Sequence, residues 1–299
     1  MFDTIIAVDW SARASPSPVT PVKDAIFLCI FRLSEGESRH PEYYRTRFSA
    51  MDRIREILEA ELKVGRRILI GFDFNFGYPA GFARQLTGEV SGLAVWRWIC
   101  ERLEDDIDNK NNRFEVAAQV NAMFPGVGPF WGSPNGVGFD GLPHKGTERY
   151  GHGIGEFRQT EIASKTAQSA WKLFTTGSVG SQALLGIYHL YRLKNWLGER
   201  GLVFPLETGC IFTEHSVVIA EIYPSFYNFD YLFPLREQDP KGFYHIADAR
   251  QVRQVCDYFA WLMYTEKKIE FLFPVKTVPE DILTEEGWIL AVPSNGITA

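Results

Sequence analysis

Two short apolar runs that each end in an aspartate constrain this chain most. Ile5-Ile6-Ala7-Val8 leads into Asp9, and Ile68-Leu69-Ile70 is followed three residues later by Asp73. Uninterrupted apolar runs of this length suit strands covered on both faces. An acid placed where such a strand leaves the core can sit at a cleft and hold a ligand or a metal. Both segments continue with aromatic and small residues, Asp9-Trp10-Ser11-Ala12 and Phe72-Asp73-Phe74-Asn75-Phe76-Gly77.

The flanking sequence reads as alternating strands and helices. Asp24–Leu33 and Glu42–Ser49 predict two more strands, spaced as an antiparallel meander. Ala50–Val64 changes to helical period, with Met51, Ile54, Ile57, Leu58 and Leu62 on one face and Gly65 as the stop. Leu93–Leu103, Phe114–Met123, Ser181–Leu197 and Ala247–Tyr264 predict further helices. Leu202–Leu206, Ile211-Phe212 and Val217–Tyr223 read as strands, and Trp288–Val292 as an edge strand. The fold class expected is α/β: one domain over 1–299, with a mixed sheet and helices on both faces.

Residues 124–156 interrupt this pattern. The window from Pro125 to Gly155 holds ten of the 26 glycines and four of the 16 prolines. Long irregular stretches inside a compact domain are uncommon and often border sites. The interleaved Phe124, Phe130, Trp131, Phe139 and Tyr150 predict a packed glycine-rich insertion or lid.

Composition narrows the class of function. A net charge of −6 argues against loose, nonspecific binding of nucleic acid. The four cysteines, Cys29, Cys100, Cys210 and Cys256, form no CxxC pair, so they read as free thiols in a reducing compartment. With no signal-peptide pattern and no apolar run of membrane-spanning length, the expectation is a cytoplasmic protein with no membrane partner. Oligomeric state is not legible.

The chemistry-bearing set is Asp9, Asp73, Glu221 and a late acid, either Asp248 or Asp257. Three of these acids lie at or near the ends of expected strands. Carboxylates brought together repel and raise each other's pKa. Mg²⁺ or Mn²⁺ removes that penalty and prefers oxygen ligands. A two-metal arrangement then activates water and steadies the leaving oxygen in phosphodiester cleavage. Asp9, Asp73 and Glu221 are thus the candidate catalytic residues, and these three with Asp248 and Asp257 the candidate metal ligands. The bland alternatives are turn or cap roles for Asp9, Asp73 and Asp248, a solvent-facing position or an arginine partner for Glu221, and a solvated helix face for Asp257.

A second signal is the turn TTGSVGSQ, residues 175–182. Backbone amides at a helix start favour phosphate, although the Lys-Ser/Thr ending of a P-loop is missing. Ser178, Gly180 and Ser181 are candidate substrate-binding residues there. Arg158 and Lys165 join them from a net positive stretch that also holds Lys145, Arg149 and Lys172. His144 and His152 flank the insertion without a third ligand at metal spacing.

Several segments carry a resemblance to a known family: AVDWSA, GFDFNFGYP, ERYGHGIGEFRQTE, TTGSVGSQALLGI and AEIYPSF. Together they resemble a family of predicted RNase H-like nucleases, and the likeness spans most of the chain. It implies an RNase H-like sheet, with Asp9 at the first-strand metal position and Asp73 at the fourth-strand one. The chain departs from nucleases of this fold at the last helix, where no clear acidic pair stands. The function expected is a metal-dependent phosphodiester hydrolase acting on nucleic acid or a phosphorylated small molecule. Two alternatives stand beside it. One is a nucleotide- or phosphometabolite-binding protein or transferase on an actin-like scaffold, as in cofactor biosynthesis. The other is a catalytically inactive scaffold.

Overall fold

A computed structural model describes residues 1–134, 137–175, 178–209, 216–226, 234–235, 239, 242–273 and 278–294. The seven strands are β1 (Thr4–Asp9), β2 (Ile26–Arg32), β3 (Glu37–Ser38), β4 (Glu42–Tyr44), β5 (Ile68–Phe72), β6 (Gly201–Phe204) and β7 (Val217–Glu221). They form a mixed sheet in the order β3-β2-β1-β5-β7-β6, with β4 also paired to β2. β1 runs antiparallel to β2 and parallel to β5, and β5, β7 and β6 continue in parallel.

Strand periodicity divides the core. Ile6 and Val8 of β1 and Ile68, Ile70 and Phe72 of β5 enter one apolar cluster with Ile54, Leu58, Leu184 and Ile187. These last come from α1 (Arg47–Lys63) and α6 (Gly180–Leu197). Ile5, Ala7 and Leu69 point to the opposite face, where Val252, Val255 and Phe259 of α7 (Ala247–Ala260) cover them. The expected helices on both faces are present, and the uninterrupted apolar runs have this double burial as their cause.

Smaller helices complete the layer around β5. They are α2 (Phe82–Thr87), α3 (Gly92–Cys100), α4 (Arg113–Asn121), α5 (Gln159–Ser164) and α8 (Glu280–Glu285). α6 approaches the segment after β5 closely. A Cβ on Gly186 would collide with the Phe74 ring, so glycine is the residue that lets this helix pack one step from Asp73.

Several boundaries differ from expectation. Glu42–Ser49 splits, because Thr46 caps α1 by accepting from the Ser49 amide and the helix starts at Arg47. Trp288–Val292 is buried and makes only an isolated bridge, Glu221 to Ile289, where an edge strand was expected. Its Trp288 indole donates back to the Val292 carbonyl at 2.8 Å, closing a turn. Ile211-Phe212 lies outside the described residues. In the glycine-rich stretch, Phe130 and Leu142 are buried. Asn121 of α4 pins it, donating to the Phe130 and Gly141 carbonyls at 2.9 and 2.8 Å. Among the described residues no helix is long and apolar enough to cross a membrane.

Candidate functional site

The register of two parallel strands brings the first two acids together. Val8 lies beside Phe72, so the next residues on each chain, Asp9 and Asp73, leave the sheet side by side. Neighbouring strands are about 4.8 Å apart. The Asp73 amide donates to the Val8 carbonyl at 3.2 Å, carrying the pairing one step further. The Trp10 amide donates to Asp73 Oδ1 at 2.6 Å.

Asp9 is only 7% exposed. Burial holds its pKa well above the usual carboxylate range, and the adjacent Asp73 and the charge of Asp248 push it further. Asp73 is also raised, to about 7, by burial and by Asp248, with the Trp10 N–H opposing. No arginine or lysine pairs with either acid among the described residues.

Glu221 does not join them, and the reason is one residue of register. It lies beside Phe72, not beside Asp73. Side chains alternate across a strand, so Glu221 faces the side opposite to Asp73. There its two oxygens accept from Arg158 Nη2 and Nη1 at 2.6 and 2.8 Å, and Oε2 also accepts from the Phe76 amide at 2.9 Å. Arg158 is fully buried. It also pairs with Glu161 at 3.0 Å and donates to the Glu286 carbonyl at 2.9 Å. Burial alone would depress the Arg158 pKa, but Glu221 and Glu161 more than offset it and the net shift is upward. Arg158 is therefore spent inside the fold and does not reach a substrate. Lys165 stands exposed at the end of α5, in a left-handed conformation.

The two late acids separate cleanly. Asp248 lies in the first turn of α7, on the face that covers β1, and its Oδ2 accepts from the Asp24 amide at 2.6 Å. Burial raises its pKa. Nine residues on, Asp257 is half a turn around the helix and about 13 Å along it. It pairs with Arg253 at 3.0 Å. Asp248 is the late acid whose charge reaches Asp9. Among the described residues no three His, Cys, Asp or Glu side chains stand in an arrangement that could hold a metal by themselves.

Behind the pair, a buried polar cluster fixes the loop after β1. Arg47 Nη1 donates to the carbonyls of Ser11 and Arg13 at 3.1 and 2.8 Å. Its other nitrogens hold Asp105 at 2.6 and 2.5 Å, and Asp105 also receives His189 Nε2 at 2.8 Å. Gln182 of α6 donates to the Trp10 carbonyl at 2.6 Å. Trp10, which binds Asp73 through its N–H, is thus tied at its own carbonyl to α6. Neither the Arg47 cluster nor Gln182 was apparent from the sequence, because each contact closes between segments far apart in the chain.

A cavity of about 530 Å³ opens between this loop and the start of α6. Trp10, Arg13, Lys23, Arg113, Ser178 and Gln182 are among its lining residues. A smaller cleft of about 40 Å³ is lined by Asp73, Asn75, Gln168 and Glu221, and Val179 borders both. Of the sequence candidates, Ser178 and Ser181 line the larger cavity and Gly180 begins α6 behind them. Thr176 and Gly177 of the same turn lie outside the described residues. His144 hydrogen-bonds Ser133 at 2.7 Å, away from the acids.

Comparison with protein-family models, with curated proteins and with solved structures finds no match for this chain.

Proposed function

We propose that the protein is an RNase H-like, divalent-metal-dependent hydrolase of phosphodiester bonds, with Asp9 and Asp73 as its central acids. One observation carries the reading. Two carboxyls meet at the ends of adjacent parallel strands, and among the described residues no cation pairs with them. The antiparallel β2, β3 and β4 beside parallel β1, β5 and β7 support the RNase H-like assignment.

The donor set suits one Mg²⁺ or Mn²⁺ better than the two-ion site expected from four carboxylates. Mg²⁺ is commonly held by one or two carboxylates with water filling its octahedron. Asp9 and Asp73 supply those oxygens, and Asp248 adds negative charge behind them. Glu221 and Asp257 are engaged by arginines and are left out of the proposed set. When bound, the ion supplies Lewis-acid activation of a phosphoryl oxygen and of water.

The chain's own part is charge and positioning. Without metal, burial raises Asp73 to about 7, so near neutral pH its carboxyl would give up that proton as the cation binds. The Trp10 backbone, fixed at its carbonyl by Gln182, keeps Asp73 Oδ1 turned toward β1 through its N–H. Hydrolysis of a bis(p-nitrophenyl) phosphate diester with Mn²⁺ tests the reading. Activity above background that falls at least a hundredfold in Asp9→Asn and in Asp73→Asn is expected. Activity indifferent to both substitutions would reject it.

A further inference from the structure

Arg113 is an anomaly of the fold. It is 8% exposed, yet among the described residues no carboxylate pairs with it. Its Nε donates to Ser181 Oγ at 2.9 Å and Nη1 to Asn111 Oδ1 at 2.8 Å. Nη2 has no hydrogen-bond partner among the described residues. Asp105 and Glu115 act on it only at a distance, and Asp105 is already held by Arg47 and His189. A buried cation without a counter-charge is costly, and proteins normally supply the anion.

The cavity that Arg113 lines has two more features of an anion site. α6 begins at its wall, and Val179 at the N-cap provides no side-chain cap. Valine is among the poorest residues for that position; the Gly180 N–H donates to the Lys172 carbonyl at 3.0 Å, and the Ser181 and Gln182 N–H groups have no acceptor among the described residues. The helix dipole adds positive potential at the same point. Arg13 and Lys23 also line the cavity and form no ion pair among the described residues, against the single acid Asp24. Arg13 instead donates to the Asp24 and Lys23 carbonyls at 3.0 and 3.3 Å.

We infer that this cavity binds a phosphate group, held by the Arg113 guanidinium and the uncapped start of α6. Ser181 acts as a positioning residue: its hydroxyl donates to the Leu173 carbonyl at 2.6 Å and receives Arg113 Nε, which fixes the guanidinium plane. The cavity's volume falls in the range of small-molecule sites and leaves room for an organic group beside the phosphate. The inference rests on the hydrolase reading only in making this phosphate part of the substrate. Trp10 joins the two places, since its side of the loop lines the cavity while its N–H holds Asp73.

The test is thermal unfolding of the full chain in EDTA, with sodium phosphate replacing sodium chloride at constant ionic strength. Phosphate is expected to raise Tm in a saturable way. Arg113→Gln is expected to weaken phosphate about tenfold or more, as loss of a charged hydrogen-bonding partner does. Lys23→Glu, at an exposed position, should weaken it about threefold and leaves the buried structure untouched. No phosphate-specific rise in the wild type overturns the proposal. So does a phosphate affinity unchanged in Arg113→Gln or, where that variant does not fold, in Lys23→Glu. Asp9→Asn should bind phosphate like the wild type, so failure at the acids and failure here are read separately. Competition by a nucleoside monophosphate, or by a single-stranded oligonucleotide only when it carries a 5′-phosphate, then identifies whether the phosphate arrives on a small molecule or a strand end.

Discussion

Two groups of acids stand at the ends of neighbouring parallel strands and have opposite electrostatics. Glu221, with Glu161, surrounds Arg158, and every oxygen of Glu221 has a donor. Asp9 and Asp73 have each other, the Trp10 amide and the nearby charge of Asp248. A one-residue difference in register separates them, because it sends Glu221 to one face of the sheet and the aspartates to the other. The first group is a finished structural element. The second has no cationic partner among the described residues, and that lack is what makes it a candidate for function.

Removing the compensation from the first group should have the largest effect. Arg158→Met leaves Glu161 and Glu221 buried without a counter-charge and should cost about 3–5 kcal/mol of stability, read by urea unfolding. A loss below 1 kcal/mol would mean that the arginine does not hold this group together.

Adding compensation to the second group should stabilise. At a concentration a hundredfold above its Kd, Mg²⁺ should raise stability by about 2.7 kcal/mol, and the increment should vanish in Asp9→Asn. The aspartate variant by itself sharpens the contrast. Asp9→Asn should be more stable than the wild type by about 1–2 kcal/mol at pH 8 without metal, because it removes the repulsion.

The pH dependence has a definite sign. The folded pKa of Asp73 lies above its ordinary value of 3.8, near 7. Between those values the folded chain holds a proton that the unfolded chain releases. This group's contribution to stability therefore declines from about pH 4 to pH 7 and is flat above. Asp73→Asn should make the decline shallower in metal-free buffer, and the part contributed by Asp9 and Asp248 should remain. The smallest effect belongs to Asp257. Its partly exposed pair with Arg253 should be worth less than about 1 kcal/mol, so Asp257→Asn should leave unfolding and metal binding nearly unchanged.

How much of this was legible follows from which contacts are local. The apolar runs ending at Asp9 and Asp73 reveal β1 and β5, and the heptad-like spacing of Met51, Ile54, Leu58 and Leu62 reveals α1. The turn before Ser181 marks the start of α6 within one residue. Register is not a local property. Nothing near Glu221 tells that it stands beside Phe72 and not beside Asp73, so it was grouped with the aspartates. The partner of Glu221 lies 63 residues earlier, in a net positive stretch whose Arg158 reads as a substrate-binding candidate. Arg113 gives even less warning. It is an ordinary residue at the start of a short helix until Ser181, 68 residues away, closes over it.

The most direct test of the account is calorimetric titration of Mn²⁺ into the wild type, Asp9→Asn and Asp257→Asn. One ion per chain is expected for the wild type and for Asp257→Asn, and no measurable binding for Asp9→Asn. Absence of binding to the wild type, or binding that survives loss of the Asp9 charge, would contradict it.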